Sequence, residues 1–173
     1  MTANPSVLND DLTSLYQEII LDHGRRPRNS RLVEQASCSA KGNNPLCGDR
    51  VTVTARVAGA GAGVIEDVAA EGRGCAISIA SASLMTEVLK GQSLADAKRV
   101  FAAVLAMCTG QQEPDSAKVD VGATLAPAID KLAALSGVRQ FPVRVKCATL
   151  PWHALMACLD GRGETTTTEP GRG

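Results

Sequence analysis

The stretch Asn43-Asn44-Pro45-Leu46-Cys47-Gly48-Asp49 constrains the chain most, because it sets a thiol and a carboxylate on either side of a glycine. In extended or tightly turned backbone, side chains at i and i+2 project to the same side, so Cys47 and Asp49 converge on one point. Gly48 removes bulk between them and opens φ angles that other residues avoid, while Pro45 fixes φ as the chain enters the turn. A soft and a hard anionic ligand side by side are half of a site for a borderline metal such as zinc. Read alone, the segment fits a polar turn beside a buried free thiol about as well.

Around this turn the pattern is strand-like. Val51, Val53 and Ala55 alternate with Thr52, Thr54 and Arg56, a glycine-rich turn follows at 59–63, and 64–70 reads as the return strand. The segment before Asn43 can pair as a third strand, giving a small antiparallel sheet with the Cys47 loop at one end. Upstream, Leu12, Leu15, Tyr16, Ile19 and Ile20 recur at helical spacing, with Asp10 as N-cap, Gly24 as stop and His23 as a capping or packing group. A basic, proline-containing connector spans 25–31.

Downstream, Gly72-Arg73-Gly74-Cys75 precedes a helix marked by Ile77, Ala80, Leu84 and Val88. Cys75 then sits at a helix N-terminus, where unpaired N–H groups and the dipole favour the thiolate over the free value of about 8.5; a small residue packed under a glycine turn is the plainer alternative. Ser93 and Asp96 open a further helix whose apolar stripe includes Phe101 and Cys108, which makes Cys108 a core residue. A polar loop is expected over 111–122 and a short helix over 125–135, with Pro127 in its first turn. The last helix is expected to start near Ala148, which puts Pro151 in its first turn and Cys147, beside Lys146, at its N-terminal end. His153 and Cys158 read as packing or surface residues, and the tail from Gly161, with its four consecutive threonines, as disordered.

Length and composition suit one domain over 1–160 with a tail over 161–173. Only four residues are aromatic, so the core must be built from closely packed Ala, Val, Leu and Ile. Basic and acidic residues balance at 18 each and no basic run occurs, which leaves no electrostatic footprint for nucleic acid or an anionic membrane. No apolar run approaches the roughly 20 residues of a membrane span, and the polar start does not look like a signal peptide. The expected location is therefore cytoplasmic, and in that reducing setting six cysteines point to metal ligation or thiol chemistry instead of disulfides.

Three separated motifs, Asn44-Pro45-Leu46-Cys47-Gly48-Asp49, Gly74-Cys75-Ala76-Ile77-Ser78 and Arg144-Val145-Lys146-Cys147-Ala148, together resemble the NifU/IscU-like iron-sulfur cluster assembly proteins, in particular their SufU-type branch. The likeness covers about residues 10 to 160 and takes in Leu21-Asp22-His23, Pro27, Asn29, Leu150 and Trp152. It implies an α+β fold, a small three-stranded antiparallel sheet covered by about five helices, and a metal site of Cys47, Asp49, Cys75 and Cys147, with Lys146, Arg50 or Arg73 offsetting its negative charge.

The resemblance further implies zinc as cofactor and a pyridoxal-phosphate-dependent cysteine desulfurase of the SufS type as partner. That partner would pass persulfide sulfur to Cys47, released from the metal by a histidine of the desulfurase, for use by downstream assembly proteins. The alternative is a scaffold that builds a transient iron-sulfur cluster on the same ligands and hands it to apo-proteins. Lys146 stands where the IscU type has a histidine, and 141–146 lacks the Leu-Pro-Pro-Val-Lys motif, so handover by an Hsp70-class chaperone is not expected. Cys38, Cys108 and Cys158 fall outside the metal motifs.

Overall fold

The computed structural model describes residues 5–59, 63–110, 122–161 and 163–166, with backbone only for 5–13, 122–124 and 164–166. The elements run α1 (Pro5–Arg25), β1 (Cys38–Asn44), β2 (Asp49–Ala58), β3 (Val64–Arg73), α2 (Ala76–Leu89), α3 (Leu94–Thr109), α4 (Gly122–Leu132), a 3₁₀ segment (Ala133–Gln140), α5 (Pro142–Leu159) and β4 (Glu164–Thr166). β1, β2 and β3 form the expected antiparallel meander, with Asn44 opposite Asp49 and Arg50 opposite Arg73.

A short fourth strand extends the sheet to the order β3-β2-β1-β4, pairing β4 parallel to β1 from Lys41 opposite Glu164. Residues 164–166 are thus ordered where an unstructured tail was expected, because the exposed edge of β1 offers them free backbone partners. The rest of the tail, 167–173, lies outside the described residues, as does most of the expected loop over 111–122. No helix among the described residues is long and apolar enough to cross a membrane.

The alternation in β2 works as read, with Val51, Val53 and Ala55 buried under the helices. Thr54 on the other face is buried as well, because the connector crosses there and the Val33 N–H donates to its Oγ1 at 2.8 Å. Helix α2 is enclosed on nearly all sides, and Ser81, Ser83 and Thr86 find partners in neighbouring elements. Ser81 Oγ donates to the Ala148 carbonyl at 2.5 Å and accepts from Trp152 Nε1 at 3.0 Å, which joins α2 to α5 through one hydroxyl. Small side chains let these helices approach closely, and the fully buried Trp152 supplies bulk that the aliphatic core otherwise lacks.

His23 is buried and packs α1 against α2, as expected of a packing group. Ser83 Oγ accepts from the Arg28 N–H at 2.8 Å, so its own proton is available to His23 Nδ1 at 2.7 Å, which leaves Nε2–H facing Glu87 at 3.7 Å. Asn29, in the left-handed region at φ 54°, donates from Nδ2 to Thr86 Oγ1 at 3.1 Å and accepts the Ala70 N–H. The residues of the first helix and connector thereby tie α1, α2 and β3 together.

Four local expectations change. Helix α1 begins at Pro5, so Asp10 lies inside it and is not its N-cap. Helix α4 begins at Gly122, which places Pro127 within it. Helix α5 begins at Pro142, whose fixed φ suits the first helical position, so Pro151 lies inside the helix and Cys147 in its second turn instead of at its start. Finally, Cys38 and Cys158 are joined by a disulfide across 120 residues, against the expectation of none: the first residue of β1 and the last turn of α5 bring their Cα atoms to 5.3 Å, within bridging distance.

Trp152→Ala removes the largest buried side chain and leaves the Ser81 hydroxyl without its donor; denaturant titration should show a loss of about 3–5 kcal/mol. Burial first, and then the charge of Arg28, hold His23 below its ordinary pKa. The unfolded chain then binds this proton more tightly, so the stability His23 allows is complete above about pH 6.5 and declines as pH falls through that value toward the lower folded one. His23→Gln should give a shallower loss of stability than the parent between about pH 7.5 and about pH 5, read by denaturant midpoints.

Candidate metal centre

The turn between β1 and β2 closes on Asn44, whose carbonyl accepts from both Cys47 N at 3.2 Å and Gly48 N at 2.9 Å. Gly48 takes φ 71°, a left-handed conformation that a side chain would disfavour, and this lets the chain turn back so that Asp49 begins β2 facing inward. Asp49 is 1% exposed. Its Oδ1 accepts from the Cys75 N–H at 3.0 Å, and its Oδ2 is a buried oxygen with no hydrogen-bond partner.

Across from it, the second turn of α5 presents Cys147. One ligand atom from each of Cys47, Asp49 and Cys147 lies within 4.8 Å of the others, and the two sulfurs are 3.5 Å apart. Asn44, buried and also left with an unpaired Oδ1, donates from Nδ2 to the Cys147 sulfur at 3.8 Å. Burial, and then the Asp49 carboxylate and the other two sulfurs, push the Cys147 thiol far above its ordinary pKa, so a bare thiolate there is costly without a cation.

Cys75 lies outside that close group. It is the N-cap residue of α2, as expected, and its backbone, not its sulfur, makes the contact with Asp49. Its sulfur is within hydrogen-bonding reach of the Arg144 guanidinium, and the charge of Cys75 first, with Cys147 and Cys47 further down, holds Arg144 more firmly in its charged form. Arg144 is thus a cation beside the Cys75 sulfur, apart from the Lys146, Arg50 and Arg73 expected there. A helix start at Ala148 hid it; with α5 running from Pro142, Arg144 and Cys147 are three residues apart on one helical face.

Arg50 and Arg73 are exposed cross-strand neighbours on β2 and β3, and with Arg28 they line a cavity of about 130 Å³ that also reaches Asp49. Lys146 is half-buried on α5. Cys108 is buried and its pKa pushed up to about 12 by that burial, which fits a packing role. His153 stacks edge-on against Phe101 at 5.4 Å between ring centres.

The donor set fits a divalent borderline metal: two thiols, a third beside them, and a buried carboxylate oxygen that nothing in the protein satisfies. Space for that carboxylate depends on Gly74, since a Cβ there would stand 2.5 Å from Asp49 Oδ1 and against Ser78 Oγ. Gly74→Ala should therefore keep the fold but weaken divalent-metal binding about 10–100-fold, measured with zinc as the probe by competition with a chromophoric chelator.

Residues 15–148 match the NifU-like N-terminal domain family. The chain is 40% identical over 147 residues to the zinc-dependent sulfurtransferase SufU of Bacillus subtilis, covering 85% of this chain and 90% of that protein. It is 35% identical over 148 residues to the iron-sulfur cluster assembly scaffold protein IscU of Streptococcus pyogenes, covering 86% and 84%. A crystal structure from Fervidobacterium islandicum, provisionally described as a SUF-system scaffold, superposes with a TM-score of 0.69 at 32% identity over 84% of this chain and 97% of that one. With the fold, the motifs and these likenesses in agreement, the chain belongs to the NifU-like N-terminal domain family, within its SufU/IscU group.

Proposed function

We propose that this protein takes part in iron-sulfur cluster assembly as a sulfur acceptor, holding zinc through Cys47, Asp49, Cys75 and Cys147 and receiving persulfide sulfur on Cys47 from a cysteine desulfurase. The observation that carries the choice of Cys47 is its placement. Of the two clustered thiols, Cys147 is fully buried in a helix, whereas Cys47 is half-exposed on a glycine-hinged turn. Cys75, the other half-exposed thiol, is fixed at a helix cap beside Arg144.

Bound zinc supplies the positive charge that keeps buried sulfurs ionised near neutral pH. Asp49, anchored by the Cys75 N–H, and Cys147, anchored by Asn44, stay in place while Cys47 moves on its turn. The Cys47 thiolate attacks the outer sulfur of the desulfurase persulfide; a new S–S bond forms at Cys47, the old one breaks, and the desulfurase cysteine leaves as thiolate. The sulfur carries its proton across, and no net oxidation occurs. Arg144, beside the Cys75 sulfur, offsets part of the negative charge of the thiols. Exposed Leu46, next to Cys47, and exposed Phe141 and Val143, at the start of α5, offer the partner apolar surface.

A scaffold role is the second reading, favoured by the relatives named as scaffolds and by Cys75 standing outside the close group, as a ligand set spread over more than one iron would have it. Alanine production by the desulfurase separates the two. Zinc-loaded protein should accelerate turnover severalfold and Cys47→Ala should not. Unchanged turnover, with iron and sulfide giving a chromophore that needs the same four ligands, would replace sulfur transfer by the scaffold role.

A further inference from the structure

The metal chemistry does not use Cys38 and Cys158, yet they join the two elements that deliver the site. β1 runs from Cys38 at one end to Asn44 at the other, about 20 Å away, and leads straight into the Cys47 turn. α5 runs from Cys158 back to Cys147 over about 16 Å. At the far end the two meet again where Asn44 holds the Cys147 sulfur. The disulfide is thus the closed end of a clamp whose open end is the metal centre. It also precedes the turn that lays β4 on β1, where the Lys41 N–H bonds the Gly163 carbonyl.

We propose that Cys38 and Cys158 form a reversible thiol-oxidation site, closed by low-molecular-weight disulfides, that locks α5 onto β1 and slows loss of metal from the centre. The metal-retention part rests on the zinc-site reading above; the locking part does not. Cys158 is 1% exposed and Cys38 half-buried, so Cys38 is the sulfur that reagents reach. Its thiolate attacks one sulfur of RSSR and expels RS⁻, forming a mixed disulfide. The Cys158 thiolate then attacks the Cys38 sulfur and expels the second RS⁻, so two protein thiols are oxidised while one RSSR is reduced to two RSH. Closing a loop of 120 residues restricts the unfolded chain strongly, while the two sulfurs lie at the margin of the core, Cys158 within it and Cys38 packed against it.

The test compares full-length protein treated with oxidised glutathione or with a phosphine reductant, in zinc-loaded and metal-free forms, beside the Cys38→Ser/Cys158→Ser double variant. Alkylation and mass spectrometry should find Cys38 and Cys158 linked after oxidation and free after reduction. Oxidation should raise the thermal midpoint by about 5–10 °C with or without metal. It should also slow zinc extraction by a chelator severalfold, and both effects should be missing from the double variant. If that variant does not fold, the oxidised and reduced parent protein decide alone. Cys38 and Cys158 remaining alkylatable after oxidation, or linkage with no change in thermal midpoint, would overturn the proposal. A shifted midpoint with unchanged zinc extraction would overturn its metal-retention part, and failure of the protein to bind zinc would instead count against the centre itself.

Discussion

A buried carboxylate organises this molecule. Asp49 sits at the start of β2 with one oxygen spent on the Cys75 N–H and the other left without a protein partner. Burying an ionised group with an unpaired oxygen costs several kcal/mol unless a cation meets it. What the fold brings to within 4.8 Å of this carboxylate is the thiols of Cys47 and Cys147. The hairpin turn supplies Cys47 and α5 supplies Cys147, with Cys75 at the cap of α2. Two of these sulfurs, Cys47 and Cys147, thus close on an oxygen that has no hydrogen-bond partner, while Cys75 stands just outside.

The aliphatic core makes this geometry possible. With so few aromatic side chains, α2 and α5 approach closely enough for single hydroxyls to span them, and Ser81 binds both the Ala148 carbonyl and the Trp152 indole. That link fixes the helical register one residue after Cys147. Ser83 and Thr86 do the same for α1 through His23 and for the connector through Asn29. The serines and threonine that look like weak helix formers in α2 are the groups that lock its neighbours in place. Stability and site geometry therefore share the same hydrogen bonds.

Much of this was legible in the sequence, for identifiable reasons. Period-two alternation at Val51, Val53 and Ala55 and the glycine between Cys47 and Asp49 are local signals, and local physics sets them. Cys75 at a helix start was equally visible from Gly72-Arg73-Gly74 before it. Prolines admit two answers here: a start near Ala148 with Pro151 in the first turn suits the sequence, whereas the helix begins at Pro142, and only that longer helix shows Arg144 as a cation beside the thiols. The Cys38–Cys158 bridge and β4 were not legible, because both depend on where the ends of β1 and α5 meet in space after the whole chain has folded. Asn44 was read as part of a motif; its contact with Cys147, 103 residues away, likewise needed the fold.

X-ray absorption at the zinc K-edge of the metal-loaded protein tests the central claim most directly. Ligation by Cys47, Asp49, Cys75 and Cys147 requires three sulfurs at about 2.3 Å and one oxygen near about 2.0–2.2 Å, with the oxygen lost in Asp49→Ala. A shell of four sulfurs, or one unchanged by that substitution, would contradict the account.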